Sequence, residues 1–411
     1  MAHKETKFFY GYIIVGASFC IMTLAWGSNR TFGVFVEPML QEFGWTRAAI
    51  SGSFTINMLV MGVLALLAGK LTDSLGPRLV LAACGVLLGF SYILTSQVQA
   101  IWHFYLFFGA IGGVGMSGLL TPLMSLVVRW FWKRRSLMSG ILVAGPAIGN
   151  MAMPLACSFL ISSIGWRATY LFLGIAVIGI IVLGAFFIRR EPAEMGLVAY
   201  GAKEGPFPGF DSLRSGFSLR EAMRTRQFWL INVVSFCDLF LINVIVVHIV
   251  IHGIDLKISA TRAASVLSLA AGVSIPGRIV MGAVADRIGN RPALMICLSM
   301  SISAFLMLLF ARNIGMLYLF AAFYGIGLWS SGAIVSPLIA EFFGLKSHAT
   351  IFSFAVFAGA IGSAVGPVIA GVFFDATGEY YWAFIVCLLV SVTAFSAVFF
   401  LRPIARIGKG A

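Results

Sequence analysis

The residue type most able to do chemistry in this chain is an arginine inside an apolar run. Arg278 lies in Gly-Val-Ser-Ile-Pro-Gly-Arg-Ile-Val-Met, residues 272–281. A guanidinium stays protonated and presents a planar fork that suits a carboxylate. Carrying it into hydrocarbon costs on the order of 3 kcal/mol on insertion scales, so its place reads as an anion-binding site. The plainer alternative is a side chain that snorkels to the near end of its helix, since Gly282 follows four residues later. Ser274 sits one turn earlier on the same helical face and offers a hydroxyl to the same anion. Arg30 is a second cation within an apolar run; it attracts an anion, or it pairs with Glu37 or Asp238. Asp238 is the one carboxylate deep in a run, a proton carrier or the counter-ion of an arginine. His248 and His252 stand four apart. That spacing suits zinc, but no further ligands accompany it, which leaves a pH-sensitive gate or ordinary polar positions. No metal site and no cofactor are expected. No nucleophile–base pair or phosphate-binding loop is present, so an enzyme is not expected either.

The elements that carry these groups follow from composition. Of the 411 residues, 60% are hydrophobic and 10% charged, and the mean hydropathy is +1.00. Soluble domains carry about 25% charged residues, so the solvent here is a lipid bilayer. A helix needs about 20 apolar residues to cross one. Twelve runs qualify: 9–36, 48–69, 79–97, 101–128, 136–163, 166–188, 227–251, 263–284, 293–311, 315–340, 348–371 and 380–401. Continuous apolar runs argue against a β-barrel, which alternates with period two. The net charge of +13 is topological rather than a nucleic-acid patch. With a cytoplasmic N-terminus, 21 of the 28 Lys and Arg fall inside and five outside, which satisfies the positive-inside rule with both termini cytoplasmic. The six cysteines are scattered singly, with neither metal nor redox spacing, and read as small packing residues. The first run is too long for a signal-peptide core and reads as an uncleaved span.

The chain repeats. Gly69-Lys-Leu-Thr-Asp73-Ser-Leu-Gly76-Pro-Arg78 returns as Gly282-Ala-Val-Ala-Asp286-Arg-Ile-Gly289-Asn-Arg291, offset by 213 residues. The fourth and tenth runs, and the fifth and eleventh, echo each other in glycine and proline. The expected organisation is therefore an N-terminal six-helix bundle over 1–188, a cytoplasmic linker over 189–226 that is partly helical near Leu219–Arg226, and a C-terminal six-helix bundle over 227–411. Six spans per copy give both copies the same topology, related by an axis along the membrane normal. Asp73, Arg78, Asp286 and Arg291 read as latches: a carboxylate at a span end pairs with a nearby arginine and with a helix N-terminus, and making or breaking that contact would gate.

Those paired turns resemble the signature of the major facilitator superfamily, and the resemblance covers nearly the whole chain. It departs at Ser74, where a basic residue is common. A narrower resemblance is to the monocarboxylate transporter family. Arg129-Trp-Phe-Trp-Lys-Arg-Arg-Ser-Leu-Met-Ser-Gly140 looks like its span-five motif, and Arg278 stands where that family has a carboxylate-binding arginine. Arg30 stands where animal members have a functional lysine, just before Thr31-Phe-Gly-Val-Phe-Val. Those members also carry an aspartate four residues before the arginine, thought to hold the coupled proton; here Ser274 occupies the place. Proton coupling would then use another group, with Asp238 and His248 the candidates.

The resemblance implies an all-α, twelve-span transporter that acts as a monomer in a prokaryotic cytoplasmic membrane. Its partners would be a small organic anion, protons or a counter-anion, and lipid. The anion of choice is a monocarboxylate such as lactate or pyruvate, carried by alternating access. The alternative is exchange of oxalate and formate, which two cations permit, although run 348–371 lacks the lysine such exchangers carry there. In the superfamily, spans one, four, seven and ten line the cavity, so Leu119, Tyr324 and Trp329 are expected to shape the pocket.

Overall fold

The computed structural model describes residues 9–202 and 216–402. The terminal cations Lys4, Lys7, Arg406 and Lys409, and Pro206 and Pro208 of the expected linker, lie outside the described residues. Eleven continuous helical segments are long and apolar enough to cross a membrane. Span one is Gly11–Phe43, span two Arg47–Leu75, span three Pro77–Thr95 and span four Ile101–Trp130. Spans seven to twelve are Arg226–Asp255, Ala260–Ile288, Asn290–Leu309, Ile314–Phe343, His348–Thr377 and Tyr381–Phe399. The remaining segment, Arg135–Phe187, is spans five and six joined end to end. Gly165 breaks it, with φ 80° and ψ 162°, and restores the expected twelve.

In hydrocarbon a backbone must satisfy its own polar groups, which selects helices. The side chains follow the same solvent. Span two turns Leu59, Val63 and Leu67 outward, each more than half exposed, and buries Ser53, Asn57 and Thr72. Polar-inside, apolar-outside is the inverse of a soluble bundle.

Contacts divide the chain into two units, Met1–Phe207 and Pro208–Ala411. Each contains the same two devices. The first is the turn between its second and third spans. Gly76 has φ 90° and ψ 157°, and Gly289 has φ 98° and ψ 155°. Side chains rarely tolerate this conformation, which is why both copies of the motif carry glycine there. The second is a close helix crossing. A Cβ on Gly149 would collide with the carbonyl of Thr23, and one on Gly362 with the carbonyl of Phe236. Both members of the pair are offset by 213. Spans one and five, and spans seven and eleven, thus approach through the same backbone contact, as small residues allow in lipid.

The expected linker is not one segment. Residues 189–202 fold back on the first unit. Tyr200 pairs with Phe131 as an isolated parallel bridge, and its ring lies 5.5 Å from Phe9 and 5.8 Å from Phe131. The Trp130 indole donates to Arg189 O at 2.9 Å. Arg129, with its side chain only 10% exposed, reaches Asp73 at 3.3 Å and Glu191 at 3.2 Å. Charge and aromatic partners at the end of span four hold this strap, in a stretch that the sequence marks only as a linker. The far side contributes Leu219–Met223, a short helix with a Ser218/Glu221 capping box, and Phe217 N donates to Phe343 O within the second unit.

Two outcomes are expected. Gly149→Ala and Gly362→Ala each force a backbone shift and should cost about 1–3 kcal/mol. They should lower the thermal midpoint in detergent, whereas Gly179→Ala, with nothing within 4 Å, should not; equal midpoints would refute the crossing. Arg129→Ala removes the cation that Asp73 and Glu191 share and should cost about 3–5 kcal/mol. Arg129→Ala with Asp73→Ala should recover part of that loss, and strictly additive losses in thermal unfolding would contradict the lock.

Candidate functional site

The second unit collects its polar groups where spans seven, eight and ten pack. Arg278 is half-buried in span eight, ten residues before the helix ends at Ile288, a rise of about 15 Å. The helix runs past Gly282, so Arg278 lies deep in the span and its side chain is tied sideways. Its Nε donates to Trp329 O at 3.1 Å, and the guanidinium carbon lies 5.8 Å from the Trp329 ring centroid. Such stacking is worth about 0.5–2 kcal/mol, most where water is excluded. Span ten thereby stabilises a cation that lipid would penalise.

Trp329 is itself oriented. Its Nε1 donates to Tyr324 Oη at 3.2 Å, and Tyr324 donates to Ile242 O at 3.2 Å. Tyr324 is fully buried, its ring stacked 5.2 Å from Phe320. The pocket-shaping expectation for Tyr324 is therefore corrected: the ring faces the apolar interior of its own unit. Leu119, just beyond the Gly118 break in span four, is also fully enclosed and presents no surface to a ligand. Trp329 alone of the three is partly exposed.

Ser274 is also corrected. It is fully buried, and its hydroxyl donates to Ala271 O at 2.8 Å. Serine within a helix commonly back-bonds in this way, and the single hydroxyl proton is thereby used.

Asp238 is 5% exposed. Its Oδ2 accepts from Ser331 Oγ at 2.6 Å, while Oδ1 has no partner. Among the described residues it pairs with no arginine, so the counter-ion reading has no support. Ser331 Oγ also lies 2.7 Å from a second acceptor, Leu328 O. One hydroxyl proton thus has two acceptors. If Asp238 is ionised, Ser331 donates to it; if Asp238 is protonated, it can donate to Ser331, which then donates to Leu328 O. Sequence reasoning missed Ser331, because one serine in an apolar span carries no signal until its neighbour is known.

His248 is 8% exposed and bridges three spans. Nε2 lies 3.0 Å from Pro367 O and Nδ1 3.1 Å from Tyr380 Oη. A carbonyl only accepts, so Nε2 carries the hydrogen and Tyr380 donates to Nδ1. Both ring nitrogens of His248 are therefore used as a staple between spans seven and eleven and the start of span twelve. No group of three or more metal-ligating side chains occurs among the described residues.

In the first unit, Arg30 is exposed and 5.8 Å from the Phe54 ring centroid. Span one continues to Phe43, so Arg30 lies well inside it rather than near its end. Glu37, a proposed partner, lies 3.9 Å from Arg47 instead. Beside Arg30, Asn29 Nδ2 donates to Asn57 Oδ1, and Asn57 Nδ2 donates to Phe108 O. Phe108 belongs to a π-helical stretch, Tyr105–Ile111, whose wider winding frees carbonyls. Of the turn residues, Asp73 pairs with Arg129, Arg78 lies 5.1 Å from the Phe186 ring, and Arg291 Nε donates to Val398 O at 3.2 Å.

Comparison with known proteins agrees with this geometry. The model of the Major Facilitator Superfamily matches residues 17–242 and 228–410. Human Monocarboxylate transporter 7 is 24% identical over 451 residues, covering 96% of this chain and 86% of the relative. The MFS-type transporter YhjX of Escherichia coli (strain K12) is 27% identical over 339 residues, covering 80% of each. Among solved structures, the proton:xylose symporter XylE superposes with TM-score 0.77 at 14% identity, covering 96% of each chain. The human organic anion transporter MFSD10 (TETRAN) gives 0.75 at 16% identity, covering 94% of this chain and 99% of that one. Both show the fold alone. With its twelve apolar spans, its repeated turns and a family match along nearly its whole length, this chain is a multi-pass membrane transporter of the Major Facilitator Superfamily.

Proposed function

We propose that the protein is a secondary active transporter of small organic anions, monocarboxylates of the lactate and pyruvate type, working by alternating access with protons. The observation that carries this reading is Arg278, a permanent cation held deep in span eight against Trp329. A guanidinium so placed favours a carboxylate and rejects cations through like-charge desolvation. The similarity to proteins named monocarboxylate transporters supports the same class. Arg30 adds a second positive group that draws anions toward the site. Asp238 is the proton carrier in this reading, because Ser331 can satisfy either protonation state without moving. Asp73, Arg78, Asp286 and Arg291 serve as gating contacts. The likeness to a bacterial relative and the short loops favour a prokaryotic cytoplasmic membrane and a monomer.

Proteoliposomes offered labelled lactate, pyruvate, acetate, oxalate and formate, with and without an inward proton gradient, test the proposal. Uptake of a monocarboxylate driven by the gradient is expected. Obligatory exchange of oxalate for formate would replace it with the anion-exchange alternative. Arg278→Ala should reduce uptake at least 100-fold, the loss of one charge-assisted partner to a desolvated anion; undiminished uptake would remove Arg278 from the site. Asp238→Asn should abolish accumulation driven by the gradient while leaving carboxylate exchange. Intact gradient-driven accumulation in that variant would show that another group carries the proton.

A further inference from the structure

We infer that Tyr324 is a positioning residue: it never meets the substrate and sets the orientation of Arg278 through Trp329. This rests on Arg278 being the carboxylate ligand. The chain of contacts is continuous. Phe320 stacks on the Tyr324 ring at 5.2 Å, and Phe305 lies edge-on at 6.4 Å, which fixes the phenol within the core of its unit. Its hydroxyl donates to Ile242 O on span seven and accepts from Trp329 Nε1. A hydroxyl that donates and accepts at once polarises both bonds. The indole is then held at its nitrogen, five residues along span ten. Trp329 in turn holds Arg278 twice, through its carbonyl to Nε and through its ring under the guanidinium.

Two contacts from a single residue matter for a side chain as mobile as arginine. Free, it carries roughly 2 kcal/mol of rotamer entropy. Restricted in advance, less is lost when an anion binds, and affinity rises accordingly. The phenol hydroxyl needs the indole to exert this effect, so its removal should act on binding more than on the transport step. The same contacts also explain why a tyrosine rather than a phenylalanine occupies a fully enclosed apolar position. A buried hydroxyl is costly unless both its donor and its acceptor capacity are used, and here both are.

The test is uptake into proteoliposomes of whichever acid of the five-member panel the wild type transports fastest. Tyr324→Phe keeps the ring and removes the hydroxyl. Its half-saturating concentration should rise about three- to tenfold, the worth of one hydrogen bond, with the maximal rate and the thermal midpoint nearly unchanged. Trp329→Phe removes the indole donor and should raise it at least as much. Adding Tyr324→Phe to Trp329→Phe should change nothing further, since the two act along one path. An unchanged half-saturating concentration in Tyr324→Phe would overturn the inference. So would multiplying effects in the double variant, or a loss of transport that only follows a fall in folded protein. Arg278→Ala separates the two readings. If it transports as wild type does, the site itself is wrong; if it is inactive while Tyr324→Phe binds normally, only the positioning role is lost.

Discussion

A guanidinium inside an apolar bundle must be met by neighbours, because lipid offers it nothing. Meeting Arg278 shapes much of the second unit. Span ten supplies both contacts from Trp329, and span ten is in turn pinned to span seven. Two rungs make that connection, Ile242 to Tyr324 and Asp238 to Ser331. They leave span seven four residues apart and reach span ten on either side of Trp329. The cation and the buried carboxylate therefore share one helix as a support without forming a salt bridge. A direct pair would neutralise the charge that an anion needs. Ser331 and Trp329, which meet the carboxylate and the cation, stand two residues apart on span ten.

The two units use one packing plan and different chemistry. The positive-φ glycines of the turns and the glycine crossings of spans one with five and seven with eleven recur at the same offset. At that offset Arg278 corresponds to Ala65 and Asp238 to Ala25, both buried and apolar. Backbone approach is a property of the repeat, so it is held in both copies. Ionisable groups in a membrane are expensive, so they appear only where one copy uses them. Within its spans the first unit carries Arg30 and, beside it, the Asn29–Asn57 pair against its π-helical stretch.

The spans, their number and the turn motifs were legible because they rest on run length and on glycine geometry, which are local. Arg278 was legible because a cation in an apolar run is anomalous whatever surrounds it. Asp238 was visible for the same reason, but its partner was not: Ser331 is one of many serines in the spans. Tyr324 and Leu119 were misplaced because a one-dimensional reading assigns a residue to a span without giving the direction it faces. The back-bond of Ser274 to the Ala271 carbonyl of its own helix was not legible, because spacing gives a residue's face without its hydroxyl's acceptor. The packing of the strap over 189–202 on the first unit was not legible in the sequence for a different reason. Its charges and prolines suggested a solvated connection, and only the fold shows that Glu191 and Tyr200 have partners waiting at the end of span four.

That strap bears on how the repeated turns differ. Asp73 ends span two beside Arg129, which Glu191 also engages, and Arg190 donates to the Asp73 carbonyl at 2.6 Å. At the position matching Arg129, the second unit has Phe342, so its span ten carries no cation at that place. A turn clamped by two carboxylates around one nearly buried cation is costly to open, since opening it separates opposite charges that are largely out of water. The first unit thus ties its turn to span four through a cation, at a place where the second unit has a phenylalanine.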